Sequence, residues 1–132
     1  MAAATPWLIR ERWPARPECI GPLRRAVVAC ARRSGASARQ SDNVAIAVSE
    51  ALSNAVVHAY VGRDEPGDVV VQARVQDSSL EVEICDEGIG MTPRVDSPGL
   101  GLGLPLIVRV SDTLEVEEVL PGVRLRMTFS LG

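Results

Sequence analysis

Glu50, Asn54 and His58 stand four residues apart in this 132-residue chain, and their types and spacing could do chemistry. On a helix turning about 100° per residue, Asn54 falls about 40° and His58 about 80° round from Glu50, so a carboxylate, an amide and an imidazole share one ridge. The main apolar stripe of the same stretch, Val44, Ala45, Val48, Ala51, Leu52, Ala55, Val56 and Ala59, borders the ridge on one side. Ile46 and Val57 border it on the other, and the ordinary solvated face would be Ser49 and Ser53. Polar groups in such a semi-buried groove need partners. The chain offers no lysine and no obvious salt-bridge ladder to supply them. An arginine partner for Glu50 and a packed, satisfied His58 would answer the need. A Mg²⁺ and phosphate site would answer it too, because Mg²⁺ is commonly held by one or two protein oxygens together with substrate phosphates. The Asn54 amide oxygen suits that role, and Glu50 one turn earlier could orient a water or accept a hydroxyl proton.

Two glycine-bearing segments extend the pattern. Asp86-Glu87-Gly88-Ile89-Gly90 follows an alternating apolar run directly. A carboxylate at the end of a buried strand can accept from an exocyclic amine, and glycine backbone can approach a purine ring without side chains in the way. An ordinary Asp/Gly turn fits the same five residues. Further on, Gly99, Gly101 and Gly103 lead to Leu104-Pro105, where a helix is predicted. Backbone N–H groups and the positive end of a helix can hold a triphosphate without lysine. The loop is not a Rossmann fingerprint, because it follows no strand in a βαβ unit. Together and in this order, the three ingredients are far more specific than any one.

The elements that must position these residues are legible from periodicity. Trp7 to Trp13 alternates and reads as a first strand ended by Pro14. Leu23, Ala26, Val27, Cys30 and Ala31 recur at helical spacing up to about Ser34, with Gly35 placed for a left-handed cap. Ser37 and Gln40 have capping-box spacing and open a second helix that is expected to run to about Tyr60. Val69, Val71, Ala73, Val75 and then Leu80, Val82, Ile84 alternate around Asp77-Ser78-Ser79, which predicts an antiparallel hairpin with one buried face. Leu104 to Val110 reads as a short helix. Leu114, Val116 and Val123, Leu125, Met127, Phe129, Leu131 alternate around Pro121-Gly122 as a second hairpin. The expected fold class is α/β: a two-layer sandwich of a mostly antiparallel sheet with helices on one face. The length fits one domain over residues 1–132.

Composition narrows the classes further. All fourteen basic residues are arginines, which excludes a Walker A lysine, a protein-kinase β3 lysine and a Schiff-base lysine. A net charge of −3 leaves no positive excess to neutralise a nucleic-acid backbone, so no direct nucleic-acid partner is expected. Mean hydropathy is +0.12 with only four aromatic residues, so Val, Leu, Ile and Ala must fill the core. Cys19, Cys30 and Cys85 are odd in number and form no C-x-x-C pair, which suits a reducing cytoplasm. No segment has the roughly 20 apolar residues of a membrane span, and the first residues lack the pattern of a signal peptide.

Ser49-Glu50-Ala51-Leu52-Ser53-Asn54-Ala55-Val56-Val57-His58-Ala59-Tyr60 resembles the N box of the GHKL ATPase superfamily of gyrase, heat-shock chaperone, histidine kinase and MutL-type proteins. Asp86 to Met91 resembles its first glycine box and Gly99 to Leu104 its second, so the likeness covers nearly the whole chain. The wording S-E-A-x-x-N-A-x-x-H-x-Y is most similar to bacterial anti-sigma factors with serine-protein kinase activity. The resemblance implies a Bergerat ATP-binding fold, ATP and Mg²⁺ as cofactors, and two protein partners, a sigma factor and an anti-anti-sigma antagonist phosphorylated on serine. It implies a homodimer as well. Carried over by position, Asn54 binds Mg²⁺, Glu50 acts on the attacking hydroxyl, and Asp86 reads the adenine amino group. Gly88 and Gly90 hinge the lid, while Gly99, Gly101 and Gly103, up to Leu104, wrap the phosphates, which His58 could also touch. Only eight residues, Met91 to Pro98, separate the glycine boxes, with Arg94 the one cation there to meet a γ-phosphate. Family members with kinase activity usually have a longer lid. A module that binds ATP or ADP and a partner without phosphotransfer is therefore the alternative, and a detached histidine-kinase catalytic domain acting in trans is a third. Gly122-Val123-Arg124 stands where relatives carry a glycine followed by threonines, which leaves Arg124 as a candidate replacement for a lost phosphate contact.

Overall fold

The period-two alternation of the second half becomes four strands of a sheet that, among the described residues, has five, the fifth coming from the first residues of the chain, and the helical periodicity of the first half becomes the layer that covers it. The computed structural model describes residues 5–62, 64–88, 104–119 and 122–132. The elements are β1 (Ile9–Pro14), α1 (Ile20–Arg33) preceded by a short 3₁₀ turn, α2 (Ala38–Asn54), β2 (Asp68–Gln76), β3 (Ser79–Asp86), α3 (Leu104–Val110), β4 (Thr113–Glu118) and β5 (Val123–Ser130). Strand order is β1-β2-β3-β5-β4, and each neighbouring pair is antiparallel. The expected α/β two-layer sandwich is what forms. The first strand begins at Ile9 rather than Trp7, leaving Leu8 outside it and exposed.

Register follows from turn chemistry. Asp77 and Ser78 both adopt left-handed φ (53° and 61°), the twist that a two-residue hairpin needs, and this pairs Gln76 with Ser79. From there Val69, Val71 and Ala73 come to lie on the same face as Leu80, Val82 and Ile84, and β5 adds Val123, Leu125, Met127 and Phe129. All of these side chains are buried, and all but Val123 share one core cluster with Leu23, Val27, Val44, Val48, Ala51 and Leu52 of the two long helices. Each fully buried Val or Leu contributes about 1.5–3 kcal/mol of hydrophobic stabilisation.

Helix ends follow their signals. Gly35 takes φ +102° just beyond α1, and Ser37 and Gln40 form the capping box, with Gln40 N–H donating to Ser37 Oγ (3.1 Å) and Ser37 N–H to Gln40 Oε1 (2.7 Å). The expected run to Tyr60 is met by two windings rather than one. The α-helix stops at Asn54, and residues Ala55–Ala59 continue as a π-helical turn.

The second face of the sheet carries a ladder of ion pairs that apolar alternation alone did not bring out. Arg74 meets Glu81, Arg126 meets Glu81, Glu83 and Glu115, and Arg124 meets Glu83 and Glu117. Glu83, only 4% exposed, also accepts from Gln72.

Candidate functional site

α2 carries the polar ridge toward the end of β3. Asn54 is 8% exposed, makes no side-chain hydrogen bond among the described residues, and has its Nδ2 wholly buried. Glu50, one turn earlier, is half-buried and has no ion pair among the described residues, so no arginine neutralises it there. Ser49 is not a free solvated position, since Arg24 of α1 donates to its Oγ across 3.3 Å. The apolar flank is open rather than closed: Ile46 and Val57 are exposed. His58 lies inside the π turn and is half-buried. The wider winding takes it off the wheel position that an uninterrupted α-helix would give it.

Asp86 ends β3 and points into the helical layer, 1% exposed. Its Oδ1 accepts the Gly88 N–H at 3.1 Å, while its buried Oδ2 has no partner among the described residues. Burial pushes the carboxyl up to about 6, and the Gly88 hydrogen bond opposes that rise. The strand end and the helix end are brought together at Gly88. A Cβ there would lie 1.9 Å from the Ala59 carbonyl oxygen, so only glycine allows the approach. Gly122, at φ +110°, closes on the other side, where a Cβ would lie 1.9 Å from the Asp86 carbonyl oxygen.

Tyr60 joins the two halves, a feature that the motif spacing alone did not bring out. Its hydroxyl donates to the Asp68 carbonyl (2.6 Å) and accepts the Glu87 N–H (2.9 Å), and its ring lies against Gly67. Leu104 opens α3, half-buried and packed on the core. Gly90, Arg94, Gly99, Gly101 and Gly103 lie outside the described residues. Arg124 does not serve as the replacement phosphate contact: it alternates with buried Val123, so its side chain lies on the sheet face away from the helices, held between Glu83 and Glu117.

The donor set fits a magnesium–phosphate group of limited protein coordination. Among the described residues no three His, Cys, Asp or Glu side chains cluster to cage a metal. What the helix offers is one buried amide with unused hydrogen-bonding capacity, which suits an ion that takes its other ligands from water and phosphate. Asp86 offers an acceptor unused among the described residues, the complement of an amine on a flat heterocycle.

A helix-borne amide and carboxylate, together with a buried strand-end aspartate and glycine, over an antiparallel two-layer sandwich, define an ATPase domain of the histidine-kinase kind. The chain belongs to that family: the model described as histidine kinase-like ATPase domain matches residues 13–129. Among its curated relatives are proteins named serine-protein kinase RsbW. That of Bacillus subtilis (strain 168) is 40% identical over 136 residues, spanning 91% of this chain and 83% of that protein. That of Bacillus pumilus (strain SAFR-032) is 34% identical over 137 residues, spanning 92% and 84%. A solved structure of RsbU and RsbW domains from Mycobacterium tuberculosis superposes with a TM-score of 0.74 at 21% identity, covering 98% of this chain and 33% of that longer one. A histidine kinase domain from Erythrobacter litoralis gives 0.58 at 24% identity, covering 99% and 65%. At these identities the solved structures share the fold. No described helix is long and apolar enough to cross a membrane.

Proposed function

We propose that residues 1–132 act as one ATP-binding domain, a serine-protein kinase and anti-sigma factor that binds a sigma factor and phosphorylates a serine of its antagonist. The single observation that carries the nucleotide half is the buried Oδ2 of Asp86, unpartnered among the described residues, beside the Gly88 approach. An acceptor left open there is what an adenine amino group would use. The likeness to serine-protein kinases over more than four-fifths of both chains supports the phosphotransfer half.

Asn54 would hold Mg²⁺, which when bound neutralises phosphate charge. Glu50, without an ion pair among the described residues, would accept the proton of the serine hydroxyl. The serine oxygen forms a bond to the γ-phosphorus, the bond from that phosphorus to the β–γ bridging oxygen breaks, and ADP leaves. Gly88 and Gly90 would hinge the lid, and Gly99, Gly101, Gly103 and Arg94 would meet the phosphates, with His58 nearby. The domain would work in the cytoplasm and as a homodimer.

Incubation with Mg²⁺, γ-labelled ATP and the cognate antagonist tests this: label is expected on an antagonist serine and absent with Glu50→Ala. The short segment of eight residues between the glycine boxes favours a second possibility, nucleotide binding without transfer. Tight ATP binding with no label on any partner would select it. No rise in melting temperature at millimolar Mg-ATP would overturn both.

A further inference from the structure

The β2–β3 register runs from Gln76 opposite Ser79 to Val69 opposite Asp86, and its next step would set Asp68 opposite Glu87. At that step the Glu87 N–H donates to the Tyr60 hydroxyl at 2.9 Å, and the same hydroxyl donates to the Asp68 carbonyl at 2.6 Å. A phenol oxygen from the end of the helical layer thus stands between the two groups that would close the next rung. The two strands separate just after Asp86, and there Gly88 meets the Ala59 carbonyl, the residue just before Tyr60. Gly67 is shaped for the ring, since a Cβ on it would lie 2.7 Å from the Tyr60 Cε1.

We propose that Tyr60 is the positioning residue of the adenine pocket: its hydroxyl bridges Asp68 and Glu87, releases the end of β3 from the sheet, and so fixes where the Asp86 carboxylate stands. The role rests on the nucleotide site proposed above. Tyr60 touches no nucleotide itself; it acts through the Asp86-Glu87-Gly88 backbone. Asp86 Oδ1 is already held by the Gly88 N–H, so the aim of Oδ2 depends on how that backbone is pinned.

The test uses Tyr60→Phe, which keeps the ring against Gly67 and removes only the bridge. Binding of ATP is compared with binding of purine riboside 5′-triphosphate, which has the same ring and phosphates but no amino group. The wild-type protein is expected to prefer ATP by about tenfold or more, and Tyr60→Phe to reduce that preference to about threefold or less while binding the amine-free triphosphate as the wild type does. A merely structural tyrosine would weaken both ligands equally and leave the preference intact, which would overturn the positioning role alone. A wild-type protein that binds both equally would overturn the adenine pocket itself. Should Tyr60→Phe not fold, the chain's single tyrosine allows a residue-specific probe in the otherwise unaltered protein. With 3-fluorotyrosine incorporated, the one ¹⁹F resonance is expected to shift on saturation with Mg-ADP and to stay in place with Mg-tripolyphosphate. A resonance that answers both or neither overturns the proposal.

Discussion

Replacing Asp86 by Asn should make the empty protein more stable and its nucleotide complex weaker. The carboxyl is 1% exposed, one oxygen lacks a partner among the described residues, and burial lifts it from the ordinary 3.8 to about 6. A rise of that size corresponds to about 3 kcal/mol of penalty on the ionised form. An asparagine in the same place carries no charge and can still accept the Gly88 N–H through its carbonyl. Its own NH₂ group would be unpartnered, which returns about 1 kcal/mol. The net gain is about 2 kcal/mol, or about 6 °C in melting temperature for a chain of this size.

The pH dependence carries the sign. Below about pH 4 the carboxyl is protonated in both folded and unfolded chains and adds no difference. Between about 4 and 6 the folded form keeps the proton that the unfolded form releases, so this group's contribution to stability falls as pH rises through the window. Above 6 the penalty is complete. Thermal melts of the two proteins without nucleotide should therefore separate by about 6 °C at pH 7.5 and change order by pH 4, where the unpartnered NH₂ leaves the Asn variant about 3 °C lower. Millimolar Mg-ATP should raise the wild-type melting temperature and have much less effect on Asp86→Asn, because with its carbonyl on Gly88 the asparagine turns an NH₂ donor toward the ligand amine where the carboxylate offered an acceptor. In the wild type, ATP affinity should weaken about tenfold from pH 7.5 to pH 5 as the acceptor is protonated. An Asn variant less stable than wild type at pH 7.5, or a gap independent of pH, would refute the assignment of Asp86 as a buried charge held open for a ligand.

Three further outcomes are expected. Asn54→Ala should leave the melting temperature without ligand within about 3 °C of wild type, since the amide makes no hydrogen bond among the described residues to lose, yet should weaken Mg-ATP much more than ATP in excess EDTA in calorimetry. Gly88→Ala should cost about 2–4 kcal/mol in denaturant unfolding, because its Cβ would overlap the Ala59 carbonyl and neither backbone can yield cheaply. Glu83→Ala should destabilise by about 1–2 kcal/mol, because Gln72, Arg124 and Arg126 each lose an acceptor while Arg124 keeps Glu117 and Arg126 keeps Glu81 and Glu115, and nucleotide affinity in the protein that stays folded is unchanged.

The strands, the helices and their order are readable in the chain because a half-buried strand and an amphipathic helix have periods of 2 and 3.6, and both are strict here. Val69 to Val75 and Leu80 to Ile84 show their buried face in the alternation itself, and Ser37 with Gln40 marks a helix start by chemistry. The opposite parity of the same strands is readable in kind: Glu81 and Glu83, Glu115 and Glu117, Arg124 and Arg126 are each spaced by two. Which of these charges meet, and that Arg124 is committed to Glu83 and Glu117 rather than to a phosphate, depends on the register between β3, β5 and β4, which is a property of the fold. The π turn is not readable from a wheel, because a wheel assumes one winding throughout; it moves His58 and brings Ala59 against Gly88. Tyr60 is visible within the motif, but its bridge needs residues 60, 68 and 87 together, and nothing in their spacing joins them.

Two buried carboxylates on one strand show how this fold separates structure from chemistry. Glu83 and Asp86 are three residues apart on β3 and are 4% and 1% exposed. Alternation sends them to opposite faces. Glu83 meets Arg124, Arg126 and Gln72, so its burial is compensated on every side. Asp86 receives one backbone N–H and keeps an oxygen unused among the described residues. The chain can therefore saturate a buried carboxylate where the role is structural, with arginine as its only strong cation. Leaving Asp86 unsaturated costs the empty fold stability that a neutral residue would restore, and Asn54 on α2 likewise keeps its buried NH₂ unpaired among the described residues. Such a cost is offset only when a ligand supplies the missing donor, which is why the unfilled valences at the end of β3 and on α2, rather than the glycines around them, mark the site.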